Sequence, residues 1–280
     1  MTGAAHAVGQ GTSGPAVVHL TAPAKLTLSL RVTGVRPDGY HLLESEMVTL
    51  DLADTLTIGD GDGLTVTGPA IEGDHGGFTS IPAGPDNLVA QALAAVGRRA
   101  RVHLEKRIPP GAGLGGGSAD AAAVLRWAGR LDHDLAAGLG ADVPFCIRGG
   151  RAMVRGIGED VTPLPYVERR FVLLLLAFGV DTGAVYRAWD RLAGRGEVPG
   201  PGSVSNDLEA PAVLVEPRLS EWKEVLGEAT GQEPRLAGSG STWFVEGSPE
   251  ELGMAHRSHR LRLRGAEARI VPVRTTRMIG

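Results

Sequence analysis

Residues 108–130 begin with two prolines, run into five glycines between 111 and 117 and continue as a helix-forming run, and these residue types together suit the binding of an oligophosphate. The prolines resist helix formation, whereas the glycines permit tight turns and let a ligand approach the main chain closely. Ser118 is the predicted N-cap of a helix over Ala119–Arg130, with Asp120 in its first turn. Free N–H groups and the positive end of a helix dipole would then meet at one point, as phosphate binding requires.

The glycine spacing matches neither of the two common phosphate-binding loops. No Lys-Ser or Lys-Thr pair follows the last glycine, which excludes a P-loop. Gly111, Gly113 and Gly116 fit the pattern G-x-G-x-x-G, but Ile-Pro-Pro precedes them and no acidic residue follows at the ribose-binding distance. The spacing alone therefore leaves two interpretations open, an unusual phosphate site or a plain surface loop.

Four side chains elsewhere could take part in chemistry, and each also has an ordinary structural interpretation. Lys25 lies in a strand-like stretch, where a lysine is typical of a solvated face. Asp142, in Gly-Ala-Asp-Val-Pro-Phe, is either a turn former or a site carboxylate. Tyr40 and His41 follow a predicted turn at 36–39, and they form either a half-buried pair or a shelf on which a flat base could stack.

Composition narrows the class of protein. The net charge of −4 offers no basic excess, so a nucleic-acid partner is not expected. The single cysteine, Cys146, excludes an internal disulfide and suits a reducing cytoplasm. The longest apolar run, residues 171–178, is too short to span a bilayer, and residues 1–15 are predicted to be a disordered tail.

Hydrophobic periodicity indicates which elements position these residues. In the first half it predicts paired strands over 17–32 interrupted at Pro23, further strands over 45–50, 54–58, 63–67 and 101–105, and a strand that starts after Asp142. It also predicts a helix over 88–96 capped by Asp86 and a short helix that ends at Leu139. In the second half it predicts strands over 171–178, 242–245 and 268–273, and helices over 182–192, after Asp207, over 221–230 and over 250–264.

Strands and helices that mix without strict alternation indicate an α+β fold in both halves. Pro163-Leu164-Pro165 is the predicted linker. It divides the chain into the tail (1–15), a first domain with the glycine loop (16–162) and a second domain (163–280).

Taken together and in this order, six stretches resemble the GHMP small-molecule kinases: residues 23–26, 38–41, 86–88, 106–123, 140–145 and 238–241. The loop Pro-x-Gly-x-Gly-Leu-Gly-Gly-Gly-Ser marks the superfamily. The motifs Asp-Gly-Tyr-His and Gly-Ala-Asp-Val-Pro-Phe are narrower, and they are similar to the branch that phosphorylates a cytidine-diphosphate-linked methylerythritol. The resemblance implies an S5-like first domain (ribosomal protein S5 domain 2), a ferredoxin-like second domain and an active site in the cleft between them.

The resemblance also implies roles for individual residues. Asp142 would accept the proton of the substrate's 2-hydroxyl, and Lys25 would support it electrostatically. ATP would be held by Asn87, Lys106, Pro110, Gly111, Gly113, Leu114, Gly115, Gly116, Gly117, Ser118, Gly238 and Ser239. The substrate would contact Thr27, Tyr40, His41, Thr182 and Tyr186. Mg²⁺ would bridge the phosphates of ATP, with no side-chain ligand assigned and Ser118 as the one candidate.

The implied activity is ATP-dependent phosphorylation in the non-mevalonate pathway to isoprenoid precursors. Two alternatives stay open: another GHMP kinase acting on homoserine, mevalonate or a sugar, and a nucleotide-binding homologue with weakened catalysis. The second alternative rests on two departures, Thr27 where the branch usually has asparagine and a shortened segment at 131–139. We further expect a cytoplasmic monomer or weak homodimer with a small-molecule substrate and no nucleic-acid or membrane partner.

Overall fold

The computed structural model describes residues 17–68, 81–198, 205–255 and 259–279. The predicted tail, residues 1–15, lies outside the described residues. Within the described ranges, no helix is long and apolar enough to cross a membrane.

The first sheet is built on one long antiparallel hairpin. Strand β1 (Val18–Val35) pairs with β2 (His41–Gly59) along almost their whole length. The predicted interruption at Pro23 and the predicted break between 50 and 54 are both wrong. Pro23 keeps its place opposite Ala53, and the ladder accommodates the proline by a register shift before Lys25. Lys25 follows this register shift directly.

Four more strands and four helices complete the first half. Strand β3 (Gly63–Thr67) runs parallel to β4 (Arg101–Glu105), and β5 (Arg151–Gly156) pairs with β6 (Asp160–Pro163), so that the sheet order is β3-β4-β2-β5-β6 with β1 also on β2. The helices are α1 (Leu88–Ala95), α2 (Gly116–Trp127), α3 (His133–Leu139) and α4 (Val143–Arg148). The alanine-rich α2 is buried among these helices and the sheet, in one apolar core with Leu56 and Leu104.

Three expectations about these helices are wrong at their N-termini. Helix α2 starts three residues earlier than expected, because Gly115 in the left-handed region (φ 66°) is its N-cap and Ser118 lies inside the helix without capping it. Asn87, not Asp86, caps α1 by accepting a hydrogen bond from the Val89 N–H. The predicted strand after Asp142 is the helix α4, whose second residue is a proline, a residue that is favoured in a first helical turn.

The second sheet is antiparallel, in the order β10-β11-β7-β9-β8. Its strands are β7 (Arg170–Leu175), β8 (Arg235–Leu236), β9 (Trp243–Glu246), β10 (Arg260–Leu263) and β11 (Ala266–Arg274), and its helices are α5 (Thr182–Ala193), α6 (Glu209–Val215) and α7 (Arg218–Thr230). The predicted helix over 250–264 is wrong: Arg-Leu-Arg-Leu alternates with the period of a strand and pairs with β11.

An apolar cluster joins the two sheets. It contains Leu26 and Leu114 from the first half and Phe171 and Phe244 from the second, all almost fully buried. The end of the chain also returns to the first sheet, where the N–H of Thr276 donates to the carbonyl of Thr49 at 2.9 Å. The α+β fold with two sheets is confirmed, and the division at residue 163 stays a prediction.

Candidate active site

A cleft of about 490 Å³ lies where the two halves meet. Its walls come from β1, the glycine loop, the first turns of α2 and α5, the residue before α4 and the turn before β9. Both halves of the chain therefore contribute side chains to one concave site, which is the usual place for a small-molecule site.

The central pair of charges in the cleft is Lys25 and Asp142. The Lys25 Nζ lies 3.2 Å from the Asp142 Oδ2, and it also donates to the Thr27 Oγ1 at 3.2 Å. The backbone N–H of Lys25 donates to the carbonyl of Leu114 at 3.0 Å, which fixes β1 against the glycine loop. The lysine side chain is 7% exposed and the Asp142 side chain 29% exposed, so the carboxylate is the more accessible of the two charges.

The glycine loop needs its glycines for close approach. A Cβ on Gly113 would lie 2.2 Å from the carbonyl oxygen of Ala237, and one on Gly115 would lie 2.8 Å from the Lys25 Cγ. Both residues also have positive φ, 76° and 66°, which other residues adopt only with strain. The loop ends at the N-terminus of α2, so its main chain leads directly to a helix end that favours anions.

Behind the loop lies a buried triad, which we define as Asp54, Lys106 and Asp120. The Lys106 Nζ donates to the Asp54 Oδ2 and, at 2.6 Å, to the Asp120 Oδ2. The Asp54 Oδ1 accepts the backbone N–H groups of Arg107 and Ile108 at 2.5 and 2.9 Å. The triad thereby joins β2, β4 and α2 at the entrance of the glycine loop.

Burial and charge shift two pKa values within the triad. Burial, reinforced by the nearby Asp54, raises the pKa of Asp120 to about 7 against the opposing effect of Lys106. For Lys106, burial lowers the pKa, but the two carboxylates outweigh it and the pKa is raised. The Asp120 Oδ1 has no hydrogen-bond partner within the described part of the chain. One cation thus faces two buried carboxylates, and the second negative charge is the one that burial disfavours.

A second glycine segment, residues 238–241, forms the turn that we call the Gly238 turn. The Ser239 Oγ lies 2.8 Å from the Thr182 Oγ1 at the start of α5. The Asn206 Nδ2 donates to the carbonyl of Gly238 at 2.7 Å. A Cβ on Gly238, which has φ 58°, would lie 3.6 Å from the Lys25 Nζ. This turn therefore brings the second half of the chain next to the charged pair.

An aromatic wall stands at the first turns of α5. The His41 ring stacks on Tyr186, with ring centroids 4.6 Å apart, and its Nε2 lies 2.7 Å from the Asp190 Oδ1. Trp189 contacts the same imidazole edge-on at 5.4 Å. Burial, with a smaller effect of Asp142, raises the pKa of the Tyr186 phenol, which stays neutral. Tyr40 is 60% exposed at the hairpin turn.

Comparison with known proteins places these features in a family. The model of the GHMP kinases N-terminal domain matches residues 87–150. A 4-diphosphocytidyl-2-C-methyl-D-erythritol kinase of Paracoccus denitrificans is 42% identical over an alignment of 241 residues, and the match covers 80% of this chain and 84% of that protein. The enzyme of that name from Dinoroseobacter shibae is 41% identical over an alignment of 248 residues, and the match covers 80% of this chain and 83% of that protein. The chain belongs to the 4-diphosphocytidyl-2-C-methyl-D-erythritol kinase family of the GHMP kinases.

A solved structure extends the match to the fold. The crystal structure of a 4-(cytidine 5'-diphospho)-2C-methyl-D-erythritol kinase has a TM-score of 0.67 to this chain at 33% identity, and the match covers 92% of this chain and 100% of that one. The GHMP kinase fold with its two α+β parts is therefore confirmed. Membership also makes the chain an ATP-dependent small-molecule kinase.

Most of the predicted site residues of this GHMP kinase line the one cleft, although their individual roles stay predictions. The lining includes Lys25, Thr27, Asn87, Lys106, Pro110, Gly111, Gly113, Leu114, Gly115, Gly116, Gly117, Ser118, Asp142, Thr182, Tyr186, Gly238 and Ser239. Tyr40 and His41 are not among the lining residues. His41 instead packs behind Tyr186, where it supports the wall.

Four residues that organise the site were missed by sequence reasoning. Asp54 carried a readable signal, because on an alternating strand it shares a face with the apolar Leu56 and Ile58. Asp120 was interpreted as a dipole partner of α2, although it follows and precedes buried alanines. For Asn206 and Asp190 the sequence carries no such signal, since the carbonyls that the Asn206 amide reaches lie 30 and 32 residues away and the imidazole that Asp190 contacts lies 149 residues away.

Proposed function

We propose that the chain catalyses ATP-dependent phosphorylation of the 2-hydroxyl of 4-diphosphocytidyl-2-C-methyl-D-erythritol, in the non-mevalonate pathway to isoprenoid precursors. The observation that carries this proposal is the Lys25–Asp142 pair, with 3.2 Å between its charged atoms, in one cleft with the glycine loop. The family membership supplies the substrate, which the names of the relatives state.

The two charges would share the work of activating the hydroxyl. Asp142 accepts the proton of the attacking 2-hydroxyl, and Lys25 holds the carboxylate in place and lowers the energy of the negative charge that develops on the oxygen. Thr27 accepts a hydrogen bond from the same ammonium group and so limits its rotation. General-base assistance of this kind contributes about 10²- to 10⁴-fold to a rate.

The glycine loop and α2 would hold ATP. The glycines of the loop have no side chains, so the main chain can approach the phosphates closely, and the N-terminus of the twelve-residue helix α2 favours the negative charge of the phosphates. Asn87, Lys106 and Ser118 also line the cleft, as do Gly238 and Ser239 from the second half of the chain. Positioning and charge stabilisation of this sort account for most of the catalysis of phosphoryl transfer.

Mg²⁺ would join the site through the phosphates. Among the described residues, no group of three or more His, Cys, Asp or Glu side chains could form a metal cluster. The cation would be held mainly by the nucleotide, with the Ser118 hydroxyl as the candidate protein ligand at the wall of the cleft. The ion supplies charge neutralisation of the transferring phosphoryl group when it is bound.

The cytidine part of the substrate would lie at the aromatic wall. Tyr186 presents a neutral ring to the cleft, and Thr182 lies one turn earlier on the same face of α5. His41 keeps the Tyr186 ring in place, and the exposed Tyr40 is available to cover the base from the hairpin. A substrate without a base would make no use of this wall, which favours the cytidine compound over homoserine, mevalonate or a sugar.

The test is ADP release from Mg²⁺-ATP by the purified protein with four acceptors in parallel. We expect release with the cytidine-linked methylerythritol and none above background with homoserine, mevalonate or galactose. Release with one of the other alcohols would keep the GHMP kinase and overturn the substrate. Binding of ATP without release in any tube would instead favour a homologue with weakened catalysis.

A further inference from the structure

Asn206 is a buried carboxamide whose hydrogen-bonding groups are all used. Its side chain donates to the carbonyls of Leu236 and Gly238 at 3.0 and 2.7 Å, and its Oδ1 accepts the N–H of Leu208 at 2.9 Å. The residue is 3% exposed. An asparagine is one of two side chains that can donate two hydrogen bonds and accept another through one planar group.

The backbone around Asn206 is fixed to the strand that carries Lys25. The N–H of Leu30 donates to the carbonyl of Ser205, and the N–H of Asp207 donates to the carbonyl of Leu30, both at 2.9 Å. Asn206 therefore has a rigid base on β1, and its side chain reaches from that base to the Gly238 turn. One residue ties the strand of the charged pair to the second glycine segment.

Backbone hydrogen bonds join the Gly238 turn and the residue after it to the glycine loop. The N–H groups of Ser241 and Thr242 donate to the carbonyls of Gly111 and Ala112, at 3.3 and 3.2 Å. Gly113 packs so closely on this segment that a Cβ there would meet the carbonyl oxygens of Ala237, the residue before the turn, and of Gly240, at 2.2 and 2.8 Å. A displacement of the Gly238 turn must therefore move the glycine loop.

We propose that Asn206 is a positioning residue for the nucleotide, which acts by holding the Gly238 turn against the glycine loop. The proposal rests on the proposed function, in that it takes the glycine loop to be the ATP site. Replacement of the carboxamide by a carboxylate would set oxygen against the carbonyls of Leu236 and Gly238 and would force the turn away from them. The glycine loop would lose its shape without the loss of any residue that touches ATP.

The test compares binding of a non-hydrolysable ATP analogue with Mg²⁺ by calorimetry, at a temperature where circular dichroism shows each variant to be folded. We expect Asn206→Asp to weaken the affinity about tenfold, the size of effect that follows from the loss of one well-placed buried hydrogen bond. A purely structural residue would lower the melting temperature and leave the affinity of the folded protein unchanged.

Asp207→Asn is the matched control. The Asp207 carboxylate bonds to Arg31 and to the N–H of Val32, both on β1 and not on the Gly238 turn. We expect this variant to lose stability and to bind the analogue within twofold of the original protein. Equal affinity of Asn206→Asp and the original protein would overturn the proposal, as would equal weakening by both variants. Failure of the original protein to bind the analogue would overturn the proposed function and this inference with it.

A second measurement covers the case in which Asn206→Asp does not fold. The chain has only two asparagines, Asn87 and Asn206, so their side-chain amide signals can be assigned by NMR. We expect the Asn206 amide protons to exchange with solvent at least several-fold more slowly when the analogue is bound. An unchanged exchange rate would overturn the proposal.

Discussion

Two adjacent glycines, one at the end of the glycine loop and one at the start of α2, each lie against a different lysine. A Cβ on Gly115 would strike the stem of Lys25, and one on Gly116 would lie 3.1 Å from the Lys106 Nζ. Both lysines are nearly buried, and both are paired with carboxylates. Lys25 faces a single carboxylate that is open to the cleft, whereas Lys106 faces two that are closed off from water.

The difference shows how one kind of ion pair serves two purposes. Asp142 is 29% exposed, so a substrate hydroxyl can reach it and its charge is available for proton transfer. The carboxylates of the buried triad are 0% and 3% exposed, and the backbone N–H groups of the loop occupy the Asp54 Oδ1. Under the proposed function the first pair takes part in the chemistry, whereas the triad holds the entrance of the glycine loop in place.

The largest effect is expected from removal of the charge of Asp142. Asp142→Asn should cut turnover by about 10²-fold or more, because the proton of the 2-hydroxyl loses its acceptor, while the ATP analogue still binds. Steady-state ADP release and calorimetry measure the two quantities. Asp134→Asn, at an exposed site in α3, is the control and should leave turnover unchanged. Near-normal turnover in Asp142→Asn would remove this residue from the mechanism.

Removal of the lysine of the triad should act on stability. Lys106→Met leaves two buried carboxylates without their cation, so we expect the free energy of unfolding to fall by about 3–5 kcal/mol in urea denaturation. Arg155→Met breaks an ion pair with Glu44 in which both side chains are more than 40% exposed, and it should cost less than about 1 kcal/mol. Similar losses in the two variants would show that the triad is not a buried charge cluster.

The triad should also make stability depend on pH. Burial raises the pKa of Asp120 from 3.8 to about 7, so in this range the folded protein binds a proton that the unfolded chain has released. The stabilisation from this proton is complete below about pH 4 and is lost as the pH rises through 7.

Asp120→Asn keeps a neutral side chain at every pH and should remove this decline. Relative to the original protein, the variant should gain on the order of a few kcal/mol between pH 4 and pH 8 in urea unfolding. Parallel curves for the two proteins would mean that Asp120 ionises normally in the fold.

The smallest effect is expected at Thr27, which supports the exposed pair. Thr27→Val keeps the shape of the side chain but leaves the Lys25 ammonium without this acceptor, so kcat/KM should fall about two- to tenfold. Thr57→Val, whose hydroxyl contacts His19 on the outer part of the sheet, should leave kcat/KM unchanged. If Thr27→Val matches the original protein, the threonine plays no part in holding Lys25.

The sequence predicted the parts that depend on local pattern. The 3.6-residue period of the apolar residues predicted helix α5, and the glycines of the loop predicted a close approach of the main chain to its neighbours. The sequence did not predict the side-chain partners that lie far apart along the chain. Lys106 is paired with Asp54, 52 positions away, and Asp190 meets His41 across 149 positions. A helix, α4, follows Asp142 where a strand was predicted, and this helix packs on α2 in a contact that the local hydrophobic period does not indicate.

The most direct test of the contrast between the two lysines is a single-turnover experiment on Lys25→Met and Lys106→Met at saturating Mg²⁺-ATP, well below both melting temperatures. We predict that Lys25→Met slows phosphoryl transfer to the cytidine-linked methylerythritol by at least about tenfold and melts close to the original protein. Lys106→Met should melt much earlier, and at saturating Mg²⁺-ATP its transfer rate should fall less than that of Lys25→Met, because Lys106 supports the loop that holds ATP and does not contact the reacting hydroxyl. Slow transfer in Lys106→Met together with normal transfer in Lys25→Met would contradict the account.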